Sequence, residues 1–157
     1  MVCHPAEREL PAGAGDELGR LAERVLATYP LDGGRVQAVF TTDEHMAQMN
    51  EQFRDKPTTT DVLSFDYGLP DGTAADELQE EWTRGEIFIS VDRAAEQARD
   101  RGIATTCEIA RLLVHGLLHL SGYDHQTAQE LREMESLTDS FLESSGFSET
   151  TGFSETR

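Results

Sequence analysis

The chain reads as a single domain of α+β or α/β class, and three observations predict this. Its 157 residues are enough to bury one sizeable core without disulfide staples. Stretches with helical periodicity are interleaved with short β-branched stretches. The third is a run from His115 to His125 that gathers three of the five histidines into a mostly apolar, helix-compatible segment and the turn after it.

Taken in order, residues 16–28 place Leu18, Leu21, Ala22, Val25 and Leu26 on one helical stripe, with Asp16 as N-cap and Tyr29-Pro30 as the stop. After the Asp32-Gly-Gly turn, Arg35 to Thr41 reads as a strand, and Thr42 or Asp43 opens a helix through about Phe53. Val62 to Tyr67 is a second strand. Residues 69–81 carry Pro, Gly and five acids, which predicts a loop or a partly helical excursion. Gly85 to Ser90 is a third strand, and a helix from Val91 to Arg101 ends at Gly102. Thr105-Thr-Cys-Glu108 has the form of a capping box, so the next helix is expected to run from there to about Leu120, with Ile109, Leu112, Leu113 and Leu117 as its core stripe. In that reading Glu108 is the capping glutamate. A last helix spans Thr127 to Leu142, with Leu131, Met134, Leu137, Thr138 and Phe141 inward. The tail repeats itself, Gly146-Phe-Ser-Glu-Thr150 recurring as Gly152-Phe-Ser-Glu-Thr156, and is expected to be disordered. The expected division is therefore a domain over 1–146 and a tail over 147–157.

His115 and His119 are four residues apart, so on a helix they share a face one turn apart and can offer two imidazole nitrogens to one ion. Gly122 sits where a helix C-cap places its left-handed residue, which lets the chain reverse and bring His125 back as a third ligand. A lone histidine on an apolar face is more often a core residue. Three around a glycine turn are better explained by metal. Three neutral nitrogens suit zinc, one ion per chain, and three protein ligands leave a fourth position for water, as in a catalytic site. The zinc-protease pattern His-Glu-x-x-His is not met, because Gly116 occupies the position of its general base. Glycine in mid-helix costs on the order of 1 kcal/mol, which points to a close approach by a backbone or a ligand.

These residues carry a resemblance. The stretch His115-Gly-Leu-Leu-His119-Leu-Ser-Gly-Tyr-Asp-His125 resembles the His-Gly-x-Leu-His-Leu-x-Gly-Tyr-Asp-His signature of the YbeY family, bacterial metal-dependent endoribonucleases of ribosomal RNA maturation. Asn50 to Arg54 and Pro57 to Phe65 are similar to that family's Asn-x-x-x-Arg and Thr-Asp-Val-Leu-Ser-Phe blocks. Gly85-Glu-Ile is similar to its Gly-Asp-Ile strand, with Glu86 keeping the charge on a longer arm. The resemblance implies a small, mostly parallel sheet flanked by helices, with the metal site at one end. It implies single-strand-specific cleavage of ribosomal RNA, at the 3′ end of the small-subunit RNA, and a part in ribosome quality control. His115, His119 and His125 would hold zinc, with His115 also counted as catalytic. Arg54 would offset charge on the phosphoryl oxygens, since its planar fork gives a phosphate two hydrogen bonds. Asp61 has two readings: an anchor for the strand start, or a carboxylate orienting a ligand histidine, a role for which Asp124 is also a candidate. Two rival classes stand beside this one: a zinc hydrolase of another substrate class, and a non-catalytic, zinc-stabilised ribosome-assembly factor.

Charge pulls against an RNA substrate. Thirty acids against thirteen bases give a net charge of −17, which repels a polyanion. Twelve of the thirteen bases are arginine, and Lys56 is the one lysine. A high-salt cytoplasm would screen such a surface, although arginine-rich codon usage gives the same counts. The cations expected near RNA are Arg54, Lys56, Arg84 and Arg111, and a ribosomal protein or ribosome-associated GTPase is the expected source of further affinity. No run of eighteen apolar residues exists and the N-terminal residues lack an apolar signal core, so no membrane partner is expected; the resemblance implies RNA, and not DNA, as the nucleic acid. Cys3 and Cys107 form no Cys-x-x-Cys pair, which fits a reducing cytoplasm, and Cys107 lies more than two turns before His115, too far to be a ligand.

Overall fold

A computed structural model describes residues 2–5, 10, 13–31, 33–54, 60–69, 82–123 and 126–147; side chains of 2–5, 53 and 54 are outside that description. The elements are β1 (Val2–Pro5), α1 (Ala14–Thr28), β2 (Arg35–Thr41), α2 (Asp43–Arg54), β3 (Val62–Asp66), β4 (Thr83–Ser90), α3 (Val91–Arg101), α4 (Thr105–Leu120) and α5 (Ala128–Ser144). They form an α+β domain around one four-stranded mixed sheet of order β1-β2-β4-β3. β1 and β4 run parallel to β2, and β3 is antiparallel to β4.

Strand alternation divides the apolar residues between two faces. Ala38 stands beside Ile87 and Phe40 beside Ile89, and these four are buried in the main core. On the other face Leu63 pairs with Phe88, and α2 covers them with Met46 and Met49 in a smaller core. Helix α4 is the axis of the main core. It touches α1, α3, α5, β3 and β4, and eleven of its sixteen residues are buried. Ser90 ties the helix starts together: its hydroxyl accepts from the Arg93 backbone N–H at 3.0 Å, capping α3, and donates to Asp43 at the start of α2 at 2.5 Å.

The mid-helix glycine of α4 has a packing cause. A Cβ at Gly116 would lie 2.8 Å from Ile87 Cγ2 and 3.1 Å from Ser64 Oγ, so only glycine lets the helix rest this closely on β3 and β4. The predicted reversal after α4 is also present. Gly122 has φ 103°, its N–H donates to the His119 carbonyl at 3.1 Å and that of Tyr123 to the Leu118 carbonyl at 3.0 Å. This pair of bonds is a Schellman turn. Edge-on contact of Tyr123 with Tyr29 at 5.3 Å, and the Ser121 hydroxyl on the Tyr29 carbonyl at 3.0 Å, pin the turn to the end of α1.

Several expectations need correction. Helix α1 starts two residues early, behind Gly13 in the left-handed region, and Asp16 belongs to its first turn, where a negative charge suits the helix dipole. Helix α4 has Ala104 at its N-cap with no side-chain cap, so the capping-box reading of Glu108 fails. Leu131 is among the exposed large hydrophobics instead of facing inward. Strand β1 was not foreseen. Phe147, the first residue assigned to the tail, is buried in the main core; residues 148–157 and most of the acidic stretch, 70–81, lie outside the described residues. Among the described residues no single helix is long and apolar enough to cross a membrane.

Candidate metal centre and the adjoining cleft

With one side of α4 seated on the sheet through Gly116, the next side of the helix carries Glu108, Arg111, His115 and His119. The His115 and His119 rings have centroids 5.0 Å apart with an interplanar angle of 63°, and both are half-buried. Two imidazoles one turn apart, ahead of a chain-reversing turn, are a donor set that fits a zinc-type ion. His125 and Asp124 lie outside the described residues. Among the described residues no group of three or more His, Cys, Asp or Glu side chains is arranged to hold a metal. Of the remaining expected residues, Arg54 closes α2 with its side chain outside the description, and Lys56 is also outside it.

His115 lines a cleft of about 390 Å³ between α4, α5, the end of α3 and the start of β3. Arg101, Glu108 and Arg111 contribute to its walls, with Asp61 on the β3 side and Asp139 on the α5 side. Glu108 is only 3% exposed. Its Oε1 accepts from Arg101 Nη1 at 3.0 Å and lies 3.8 Å from Arg111 Nε. Burial pushes this carboxyl above its ordinary value, and the two guanidiniums beside it partly offset the shift. Arg111 reaches outward as well, donating from Nη2 to Asp139 Oδ1 at 3.0 Å. Asp61 accepts from Gln97 Nε2 at 3.3 Å through its carboxylate and from the Ser90 N–H at 3.0 Å through its carbonyl, which are the contacts of an anchor at the strand start.

Of the cations expected near RNA, Arg84 lies elsewhere, on the strand pair β3–β4. Its Nε donates to Asp66 Oδ1 at 2.9 Å, and this bond holds the Asp66 carboxyl below its ordinary value despite partial burial. Glu86 accepts from the Tyr67 hydroxyl at 2.6 Å. Burial, reinforced by that bond and by the glutamate charge, pushes Tyr67 up to about 12. Cys107 is a buried thiol outside any disulfide, in the first turn of α4. Arg101 and Asp139 were not singled out from sequence. They reach the cleft from α3 and α5, and no local pattern marks them.

Fold and site together define an α+β domain with a paired-histidine helix laid across a small mixed sheet, beside a cleft lined with guanidinium and carboxylate groups. The family model for endoribonuclease YbeY matches residues 12–146, and the chain belongs to that family. An endoribonuclease YbeY of Streptococcus mutans is 40% identical over 120 residues, covering 68% of this chain and 73% of the relative. One from Listeria monocytogenes is 39% identical over 142 residues, covering 83% of this chain and 88% of the relative. The solution structure of TM1509 from Thermotoga maritima has the same fold, with a TM-score of 0.60 at 20% identity over 91% of this chain and 89% of that one.

Proposed function

We propose that this chain is a zinc-dependent endoribonuclease that hydrolyses phosphodiester bonds in single-stranded regions of ribosomal RNA during small-subunit maturation and quality control, in the cytoplasm. The observation that carries the reading is the His115–His119 pair on one side of α4, with His115 lining a cleft that also holds Arg101 and Arg111 among four carboxylates, in a chain whose relatives are named endoribonucleases. His115, His119 and His125 would hold one zinc ion. When bound, the ion would supply Lewis acidity toward water and a phosphoryl oxygen. Arg54, at the end of α2, would provide two parallel N–H donors to the non-bridging oxygens as charge builds on them. The imidazoles must be neutral to act as donors, so protons compete with the ion for these nitrogens. The packing of Gly116 on Ile87 and Ser64 counts against the peptidase alternative, because no side-chain base fits next to His115. With a net charge of −17, affinity for ribosomal RNA would draw on a ribosomal protein or a GTPase partner.

Cleavage of structured ribosomal RNA by purified variants tests this reading. His115→Ala should lower the single-turnover rate by about 100-fold or more, and Arg54→Ala by about 100-fold, the latter with an unchanged thermal midpoint. Full activity of His115→Ala would remove the hydrolytic mechanism, and full activity of Arg54→Ala would remove that residue's role.

A further inference from the structure

We propose that Arg111 contacts a phosphate of the RNA strand lying in the cleft next to His115, and that Asp139 is a latch which this phosphate displaces. The inference rests on the endoribonuclease reading and adds to it a substrate-contacting residue and a device that limits affinity.

Arg101 and Arg111 flank the same buried carboxylate, yet their situations differ. Arg101 is bonded to Glu108 at 3.0 Å, and Glu108, at 3% exposure, cannot be separated from its cations without leaving a buried charge unpaired. Arg111 is 3.8 Å from that carboxylate through Nε, and its outer nitrogen is held at 3.0 Å by Asp139, whose side chain is 56% exposed. The Arg111 side chain is only 17% exposed, but its partner Asp139 stands in solvent, which screens that half of the pair and lets another anion take its place. A phosphodiester in the cleft offers the fork of Arg111 an acceptor of the same charge and bidentate geometry, while Glu108 keeps the inner side of the guanidinium in place. Arg111 also precedes His115 by one helical turn on the same side of α4, so its phosphate would neighbour the bond presented to the histidines. The latch accounts for one way in which an acidic chain can hold a cation ready for RNA and keep its resting affinity low.

The test is a double-mutant cycle read by fluorescence anisotropy, with the full chain and a short single-stranded 2′-O-methyl oligoribonucleotide that resists cleavage. Asp139→Asn should tighten binding by about 3- to 10-fold, Arg111→Gln should weaken it about 10-fold and reduce the salt slope by about one, and Asp139→Asn should bring no gain in the Arg111→Gln background. Glu133→Gln, which removes an equal charge from an exposed position on the same helix α5, is the control for general repulsion. If Asp139→Asn and Glu133→Gln tighten binding equally, or if the gain from Asp139→Asn persists without Arg111, the latch is refuted. If wild type binds and cleaves RNA and Arg111→Gln matches it, the phosphate contact is refuted while the endoribonuclease reading stands. If wild type neither binds nor cleaves RNA at any salt concentration, both fall together.

Discussion

Helix α4 presents two sides that follow different rules. Against the sheet, Gly116 sits where even a methyl group would meet Ile87, and Leu120 closes over Gly85, where an added Cβ would lie 3.0 Å from its Cδ1. Toward the cleft stand a buried carboxylate and an arginine joined by ion pairing, and the His115 imidazole, with His119 one turn further along the helix. Volume governs the first side, and charge and donor geometry govern the second. Substitutions on the sheet side should therefore cost stability first. Those on the cleft side should cost function, or shift how stability depends on pH.

The largest stability effect is expected at Gly116. Gly116→Val should cost about 3 kcal/mol by overpacking, and Gly116→Ala about 1–2 kcal/mol even though alanine favours a helix by about 1 kcal/mol. Urea denaturation measures both; a neutral or stabilised Gly116→Ala protein would mean that α4 can lift off Ile87 at little cost, and the contrast between the two sides would weaken.

A smaller effect is expected at Glu108. Its folded pKa is raised by burial, so it contributes stability below its ordinary value of 4.5 and loses that contribution as pH rises through the folded value. Glu108→Gln removes this loss. Its stability relative to wild type should therefore rise between pH 4.5 and neutrality, and a difference that stays flat with pH would show that the arginines have fully compensated the burial. The smallest effect is expected at Asp66, whose shift is opposite because the Arg84 hydrogen bond outweighs partial burial. Its contribution is present above its ordinary value of 3.8 and is lost on acidification. Asp66→Asn should cost less than about 1 kcal/mol at neutral pH, since the pair is exposed, and the cost should vanish as pH falls well below 3.8. A loss that survives acidification would mean that packing, and not the ion pair, is what Asp66 supplies.

The parts of this molecule legible in its sequence are those with local causes. The strand expected over Arg35 to Thr41 matches β2 residue for residue, the stripe of α4 is buried as expected, and Gly122 makes the reversal that its position predicted. The histidine pair was legible because i, i+4 spacing on a helix converts directly into proximity. Features set by distant contacts were not. Val2–Pro5 has no alternating pattern and becomes a strand by lying parallel to β2. Glu108 was misread because Thr105 and Glu108 satisfy a local capping pattern while Arg101, from the preceding helix, supplies a stronger partner. Asp139 meets Arg111 across 28 residues of chain, and no window of sequence shows that pair.

The most direct test of the central claim, that the histidine side of α4 holds a catalytic metal, is elemental analysis of tag-free wild type and His119→Ala, paired with ribosomal RNA cleavage with and without chelator. The account predicts one equivalent of zinc in wild type, its loss in His119→Ala, and cleavage that chelator abolishes and added zinc restores. Wild-type protein that cleaves RNA equally well with chelator present, or a His119→Ala protein that keeps both its metal and its activity, would contradict it.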